Sequence, residues 1–159
     1  IALRSNMLTA TPGEAVMAHR FNEYKPWKGT IPGRSNGVLI SKNTASTTGY
    51  SMDKLQDRGS FFIDAGEEVY SGQIIGEHIK PGDLVVNATE PKKLTNMRAS
   101  GTDDANRIAP KIQLSLEECM EYIQQDECIE VTPKNIRLRK IQLNEEDRKK
   151  YDKMLKSEA

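Results

Sequence analysis

Short apolar runs separated by turn residues are the feature that most restricts how this chain can fold. Between Gly37 and Asn87 the sequence predicts six strands of three to six residues, at 38–40, 47–52, 61–63, 68–70, 73–78 and 84–86. Turns rich in glycine, proline and aspartate separate several of them. Strands this short and this close together are typical of a small barrel or sandwich. We therefore predict an α+β chain with a β-rich, barrel-like or sandwich-like domain and flanking helices.

The segments on either side of this region follow other patterns. Residues 53–58 predict one helical turn, with Asp53 as its N-cap and Gly59 as its end. Near the start, residues 1–9 suggest the end of a helix, and 14–24 alternate as a strand does. Two prolines and two glycines between 26 and 33 then favour a connection. We place a domain boundary there, between 1–28 and 29–159, and expect the chain to be part of a longer protein.

The last third of the chain contains stronger local signals. Ser115 and Glu118 have the spacing of a capping box, and apolar residues then follow at helical intervals. The predicted apolar face is formed by Leu116, Cys119, Met120 and Ile123.

A hairpin is predicted after this helix, with residues 132–135 as its turn. In that register Val131 faces Ile136, and Glu130 faces Arg137 in a favourable charge pair. Asn144 then caps a final helix whose first residues are acidic, as the helix dipole prefers.

The charge of the chain is zero on average but uneven along the sequence. Residues 112–131 hold six acidic residues and no basic one, whereas 132–143 hold four basic residues and no acidic one. The overall balance therefore gives no signal for nucleic acid, although local patches can bind it. No apolar run approaches the roughly 20 residues of a membrane-spanning helix.

Cysteine and histidine give no sign of a metal site. Cys119 and Cys128 match no zinc spacing, and two cysteines are too few for a disulfide framework. We expect two buried thiols that a reducing cytoplasm keeps free, and ordinary strand or loop histidines at His19 and His78.

Motifs of catalysis are also missing from the sequence. No glycine-rich phosphate-binding loop and no nucleophile elbow occurs. Adjacent carboxylates such as Glu67 and Glu68 are more typical of a surface turn than of a catalytic pair. We expect no catalytic residue, no metal and no cofactor in these 159 residues.

The best candidate site is the polar, cationic stretch at 92–101, within a predicted long loop. Loops of this length are usually functional or disordered. Its cations could contact phosphates, and its hydroxyl and amide groups could read ribose or base edges. It contains no aromatic residue for stacking, which favours structured RNA over unstacked bases. The alternative is a solvated surface loop. The candidate RNA-binding residues are Lys92, Lys93, Thr95, Asn96, Arg98 and Ser100.

A secondary basic patch follows the hairpin turn. It comprises Lys134, Arg137, Arg139 and Lys140. Here the favoured interpretation is structural: a polar face offset by the acidic residues at 117–130, with Glu130 as the partner of Arg137.

Several long segments resemble the C-terminal region of the BipA/TypA family of translational GTPases, in the order that the family has them. They are 55–59, 66–70, 76–78, 92–103 and 130–140. The resemblance spans nearly the whole chain and is weakest in the final charged helix, to which we assign no function.

The resemblance implies a specific role. Residues 1–28 would end a ferredoxin-like unit similar to domain V of elongation factor G, and 29–159 would form the family's own C-terminal domain. That domain would reach the ribosomal A site, where the loop contacts the tRNA acceptor end and 23S ribosomal RNA through Lys92, Lys93, Asn96 and Arg98. The family acts in ribosome assembly and stress adaptation. GTP and magnesium would bind a G domain that these residues do not include.

Two alternatives remain open from the residues alone. The chain could be a protein-interaction domain that docks through its acidic helix or its strand edges, or an enzyme whose site the sequence does not reveal.

Overall fold

The computed structural model describes residues 14–27, 29, 34–92 and 108–158, together with Leu3, Met7, Ala10 and Thr11. In this part of the chain the strands are β1 (Val38–Ser41), β2 (Ala45–Ser46), β3 (Gly59–Phe61), β4 (Glu68–Val69), β5 (Gln73–His78), β6 (Leu84–Val86), β7 (Glu127–Val131) and β8 (Ile136–Lys140). The helices are α1 (Gly49–Leu55), α2 (Leu116–Tyr122) and α3 (Glu145–Glu158), with a 3-10 turn at Gln56–Arg58.

Strand β5 is the centre of the main sheet. The order is β6-β1-β5-β8-β7, and β3 also pairs with β5. On one side β5 pairs with β1; on the other its first residues pair with β8 and its last residues with β3. The pairs are antiparallel except β1 with β6, and β2 with β4 forms a separate two-stranded ribbon. The predicted α+β class with a β-rich domain is confirmed.

Both faces of the sheet are covered, which explains the short, continuous apolar runs in its central strands. Leu39 and Ile75 point to one face, where they pack with Met52 of α1 and Val69 of the ribbon. Their neighbours on the opposite face join Cys119 of α2 and Leu138 of β8 in a second cluster; these neighbours are Val38, Ile40 and Ile74. The alternation of strand side chains thus places one cluster on each side of a single sheet.

Helix α1 corrects two predictions. Residues 47–52 were expected to form a strand, but the helix begins at Gly49 and its N-cap is Thr48, whose hydroxyl accepts a hydrogen bond from the Ser51 N–H at 3.2 Å. Burial of Met52 in the first cluster outweighs the strand preference of this threonine-rich stretch. Asp53 lies inside the helix and is not its cap. Gly59 follows the 3-10 turn, as predicted.

Helix α2 has the predicted capping box. The Ser115 hydroxyl accepts from the Glu118 N–H at 3.2 Å, and the Glu118 carboxylate accepts from the Ser115 N–H at 2.7 Å. The predicted apolar face is only partly correct, because Cys119 is buried whereas Leu116 and Met120 are exposed. The helix has only seven residues, and it meets the sheet through Cys119, with Tyr122 and Ile123 beside it.

The hairpin forms in the predicted register. Val131 lies opposite Ile136, Ile129 opposite Leu138 and Glu130 opposite Arg137. The final helix is also confirmed: it begins directly after Asn144, whose carbonyl accepts from the Arg148 N–H at 3.1 Å.

The predicted strand at 14–24 is wrong. The structure assigns no strand to residues 14–27, and Val16 and Tyr24 are 96% and 94% exposed. A strand needs a neighbour to take its backbone hydrogen bonds, and none of the described strands pairs with this segment. Leu3, Met7 and Ala10 are helical, as expected; the rest of that predicted helix lies outside the described residues. The division into 1–28 and 29–159 stays a prediction.

Tyr122 offers a test of how the second cluster is packed. Its ring meets Phe62 edge-on at 5.4 Å, but its hydroxyl is buried without a hydrogen-bond partner among the described residues. A buried polar group left unpaired costs free energy. We therefore expect Tyr122→Phe to leave the free energy of unfolding unchanged or to raise it by about 1 kcal/mol, and Tyr122→Ala to lower it by about 3–4 kcal/mol.

Urea denaturation monitored by circular dichroism measures both changes. Tyr151→Phe, at a half-exposed position of α3, is the matched control and should change stability by less than about 0.5 kcal/mol. A clear loss of stability in Tyr122→Phe would show that the hydroxyl has a partner and that this account of the packing is wrong.

Candidate functional site

The candidate RNA-binding loop is attached to the domain through α1 and the turn that follows it. At the loop's entry, the Thr48 and Ser51 hydroxyls donate to the Glu90 carbonyl at 2.6 and 2.7 Å. At its exit, the Ala109 N–H donates to the Gln56 side chain at 2.9 Å, and Ile108 packs against the first cluster. Residues that flank the candidate loop on both sides are therefore hydrogen-bonded to one continuous stretch, α1 and the 3-10 turn after it.

Lys92 is the only candidate loop residue within the described part of the chain, and it is exposed close to the anchored Glu90. The remaining five candidates lie outside the described residues; they are Lys93, Thr95, Asn96, Arg98 and Ser100. Their role in RNA binding stays a prediction.

The secondary basic patch is divided between two faces of β8. Lys140 shares a face with Leu138, and its residue surface is only 1% exposed. Its ammonium lies 2.5 Å from Asp83, 2.6 Å from Asp126 and 2.9 Å from Glu127. The favoured structural interpretation therefore applies to Lys140, whose partners Asp126 and Glu127 belong to the acidic stretch at 117–130 and whose side chain is buried. The two-residue period of a strand, counted from the apolar Leu138, could have indicated this.

Glu127 links Lys140 to a second buried cation, Arg34. One Arg34 nitrogen lies 2.7 Å from the Glu127 carboxylate, and the side chains of both residues are almost fully buried. The guanidinium also stacks on the Tyr122 ring, 4.4 Å from its centroid, and its Nε–H donates to the Asn36 carbonyl at 2.7 Å. The Glu127 carboxylate additionally accepts from the Gln124 N–H at 3.0 Å.

Both buried cations hold their protons more tightly than in water. Burial alone would lower the pKa of Lys140, but hydrogen bonds to Asp126 and Asp83 and the charge of Glu127 outweigh it and leave that pKa raised. Burial opposes the charge of Arg34 in the same way, and its hydrogen bond to Glu127 leaves the pKa of its guanidinium raised. These groups form a structural ionic cluster of two buried cations and three carboxylates, of which Glu127 is buried and Asp83 and Asp126 are partly exposed.

The other face of β8 carries Arg137 and Arg139. The predicted Glu130–Arg137 opposition is present in the register, but Glu130 makes its ion pair with Arg139, at 3.9 Å, and accepts the Tyr70 hydroxyl at 2.6 Å. The Arg137 Nε is buried without a hydrogen-bond partner in the described part of the chain. The expected structural role thus holds for Arg139, whereas Arg137 lacks the ion pair with Glu130 that the sequence predicted.

The two cysteines belong to no candidate metal site in the described part of the chain. Cys119 and Cys128 are free thiols, Cys119 buried and Cys128 half-buried. Burial, with the charge of Glu118, raises the pKa of the Cys119 thiol. No helix among the described residues is both long enough and apolar enough to cross a bilayer.

Comparison with known proteins then identifies the domain. The family model described as the TypA/BipA C-terminal domain matches residues 36–145. This chain belongs to the TypA/BipA family. The match covers the main sheet, α1 and α2, so the resemblance inferred from the sequence is confirmed.

Curated relatives of the TypA/BipA family extend the match over nearly the whole chain. Three of them are each named large ribosomal subunit assembly factor BipA. The chain is 45% identical over 159 residues to the Salmonella typhimurium strain LT2 protein. The alignment covers 99% of this chain and 26% of that protein. The chain is 47% identical over 154 residues to the Haemophilus influenzae protein, an alignment that covers 96% of this chain and 25% of that protein. It is 44% identical over 159 residues to the Escherichia coli strain K12 protein, with 99% of this chain and 26% of that protein covered. The chain therefore spans about a quarter of the length of these relatives.

The ionic cluster predicts a large effect of a small substitution. Glu127→Gln keeps the shape of the side chain but leaves Arg34 without its buried counter-charge and weakens the hold on Lys140. Removing one member of a buried ion pair typically costs about 3–5 kcal/mol, and we expect a loss of that size in urea denaturation. Glu68→Gln, at an exposed site in β4, serves as the control. Equal, small effects of the two changes would contradict the buried cluster.

The raised pKa values also predict the direction of alkaline unfolding. The stability that Lys140 contributes is fully present below its ordinary pKa of 10.5 and is lost as pH rises through its raised folded value. Burial likewise raises the pKa of Tyr70 and of Tyr122, so the unfolded chain releases those protons first.

All three groups therefore lower the free energy of unfolding from about pH 10 upward. Urea titrations from pH 8 to 12, with tyrosinate absorbance as a second readout, measure this. Lys140→Met should begin less stable and lose stability less steeply in that range. A flat profile to pH 12 would contradict the assignment.

Proposed function

We propose that this chain is the ribosome-docking C-terminal part of a cytoplasmic translational GTPase that acts in assembly of the large ribosomal subunit. The observation that carries the proposal is its 44–47% identity to proteins named large ribosomal subunit assembly factor BipA. We further infer a role in stress adaptation, as the family resemblance implies.

Within that function, residues 92–100 are proposed to contact the acceptor end of A-site tRNA and 23S ribosomal RNA. The contacts would come from Lys92, Lys93, Thr95, Asn96, Arg98 and Ser100. Three cations without an acidic residue suit the phosphates of structured RNA. The hydrogen bonds that hold Glu90 to α1 and Ala109 to the 3-10 turn support the idea, because they fix the points at which residues 92–100 join the domain.

GTP binding and hydrolysis are proposed to reside in the N-terminal part of the full-length protein, with GTP and magnesium as ligands there. The contribution of this chain would then be contact and positioning, without a catalytic centre of its own. A protein-docking function is the second candidate, supported by the exposed Met120 on α2, beside the acidic Glu117 and Glu121.

The charge of the loop provides the test. Pelleting with isolated large ribosomal subunits across a salt series should show affinity falling steeply with salt, because bound RNA counterions are released. Reversal of Lys92, Lys93 and Arg98 to glutamate should weaken binding by more than about tenfold and reduce the slope of log affinity against log salt by about 2–3.

The matched control reverses three exposed cations of α3 to glutamate, giving the same change in net charge. They are Lys149, Lys150 and Lys153. If both triple variants lose affinity equally, net charge and not the loop drives binding. If the loop variant binds as the parent chain does, the loop proposal fails and docking through α2 becomes the better hypothesis.

A further inference from the structure

A cleft lies beside β5 at the point where this strand changes its partner from β8 to β3. On the same side of β5, Gln73 and Ile74 pair with β8, whereas Gly76 and the residues after it pair with β3. At the changeover the Phe62 N–H donates to the Ile75 carbonyl at 2.9 Å. The start of β8 and the end of β3 therefore separate, and a cleft of about 350 Å³ opens between them.

The β8 side of this cleft has an open backbone position. Backbone groups of successive residues in an antiparallel strand point alternately to its two neighbours. The Lys140 N–H donates to the Gly72 carbonyl, on the β5 side, at 3.0 Å. The backbone N–H and carbonyl groups of Leu138 and Ile136, two and four residues earlier, therefore also point to the β5 side. Leu138 is paired with Ile74, but Ile136 has no strand partner on this side among the described residues.

The two faces of the cleft differ in chemistry. On the α2 side, the lining is apolar: Phe62, Leu114, Cys119, Ile136 and Leu138. On the opposite side it includes Arg137 and the polar Gln73, while Lys134 lies at the hairpin turn. The lining also includes one acidic residue, Glu67, which lies 3.8 Å from the remaining lining cation, Lys111. Lys111 also pairs with Asp64 at 2.6 Å.

Arg137 and Lys134 thus supply positive charge that no ion pair within the described residues neutralises. The Arg137 Nε in particular is buried without an acceptor in that part of the chain. A buried guanidinium N–H without an acceptor is unfavourable, and a bound carboxylate is the group that satisfies it best.

We propose that this cleft binds an extended peptide in which acidic and apolar residues alternate. The peptide adds as a strand to β8, and its main chain pairs with the N–H and carbonyl of Ile136. Its side chains then alternate between the two faces, with apolar groups against Phe62 and Leu114 and carboxylates towards Arg137 and Lys134. A polynucleotide offers neither the main-chain pairing nor this alternation, so the observations favour a peptide. This inference is independent of the RNA-binding loop.

The probe is an acetylated, amidated heptapeptide of sequence Ser-Glu-Val-Glu-Val-Glu-Ser, titrated into the nitrogen-15-labelled 159-residue chain. We expect the amide signals of Ile136, Phe62 and Leu138 to shift together. The same peptide with lysine in place of glutamate tests charge, and one with N-methyl groups on both valines tests main-chain pairing. Both should bind at least about tenfold more weakly, because the lysine peptide lacks the carboxylates and the N-methylated peptide lacks the main-chain hydrogen bonds.

Protein variants locate the site. Arg137→Gln should weaken the acidic peptide about tenfold, and Lys134→Gln less. Arg58→Gln, at an exposed site on the 3-10 turn, should have no effect. Lys134 lies in an exposed turn, so its variant keeps the test informative if Arg137→Gln unfolds.

Three outcomes overturn the proposal. The first is an absence of shifts at Ile136 up to millimolar peptide. The second is equal binding of the acidic and lysine peptides. The third is a uridine hexanucleotide that shifts the same amides more strongly than the peptide and loses affinity in Arg137→Gln, which would assign the cleft to RNA.

Discussion

The buried carboxylate of Glu127 is the interaction on which the arrangement of the domain depends. It holds Arg34, before β1, and Lys140, at the end of β8. Asp83 extends the cluster, because it contacts Lys140 and also accepts the Val38 N–H at 3.0 Å. Buried charges are tolerated only when each is matched. Segments distant in sequence are therefore held in one relative position, which an apolar cluster alone would fix less strictly.

Strand β5 then determines where functional surfaces can form. Its pairing with β1 closes the sheet on one side, whereas its change of partner on the other side creates the cleft beside Ile136. The candidate RNA loop is attached elsewhere, to α1 and the 3-10 turn. Residues 111–114, which follow the loop's exit, nevertheless line the cleft, so the two proposed surfaces are joined by a short stretch of chain.

Two features encoded within a few residues were predicted correctly, whereas the local prediction of Asp53 as a helix cap was wrong. The capping box at Ser115 depends on two side chains three residues apart, and the hairpin register on one turn. Predictions that depended on a distant partner failed. Residues 14–24 have the alternation of a strand but no neighbouring strand among the described residues, and 47–52 became helical because Met52 is buried against the sheet. For the candidate loop, only the anchored ends and Lys92 lie within the described residues.

The sequence by itself determined the family, through long matching segments, and the β-rich class, through short apolar runs. It also determined where α2 begins and the register of the β7–β8 hairpin, because both depend on residues close together in the chain. Only the tertiary structure decided which cations are available to a partner. Lys140 and Arg137 stand three positions apart in one strand, yet one is buried among three carboxylates and the other lines an open cleft. The reason is physical: the cleft beside Arg137 exists only because β5 changes its partner from β8 to β3, and Arg34, which shares Glu127 with Lys140, is 93 residues from that carboxylate. No local pattern specifies contacts of either kind.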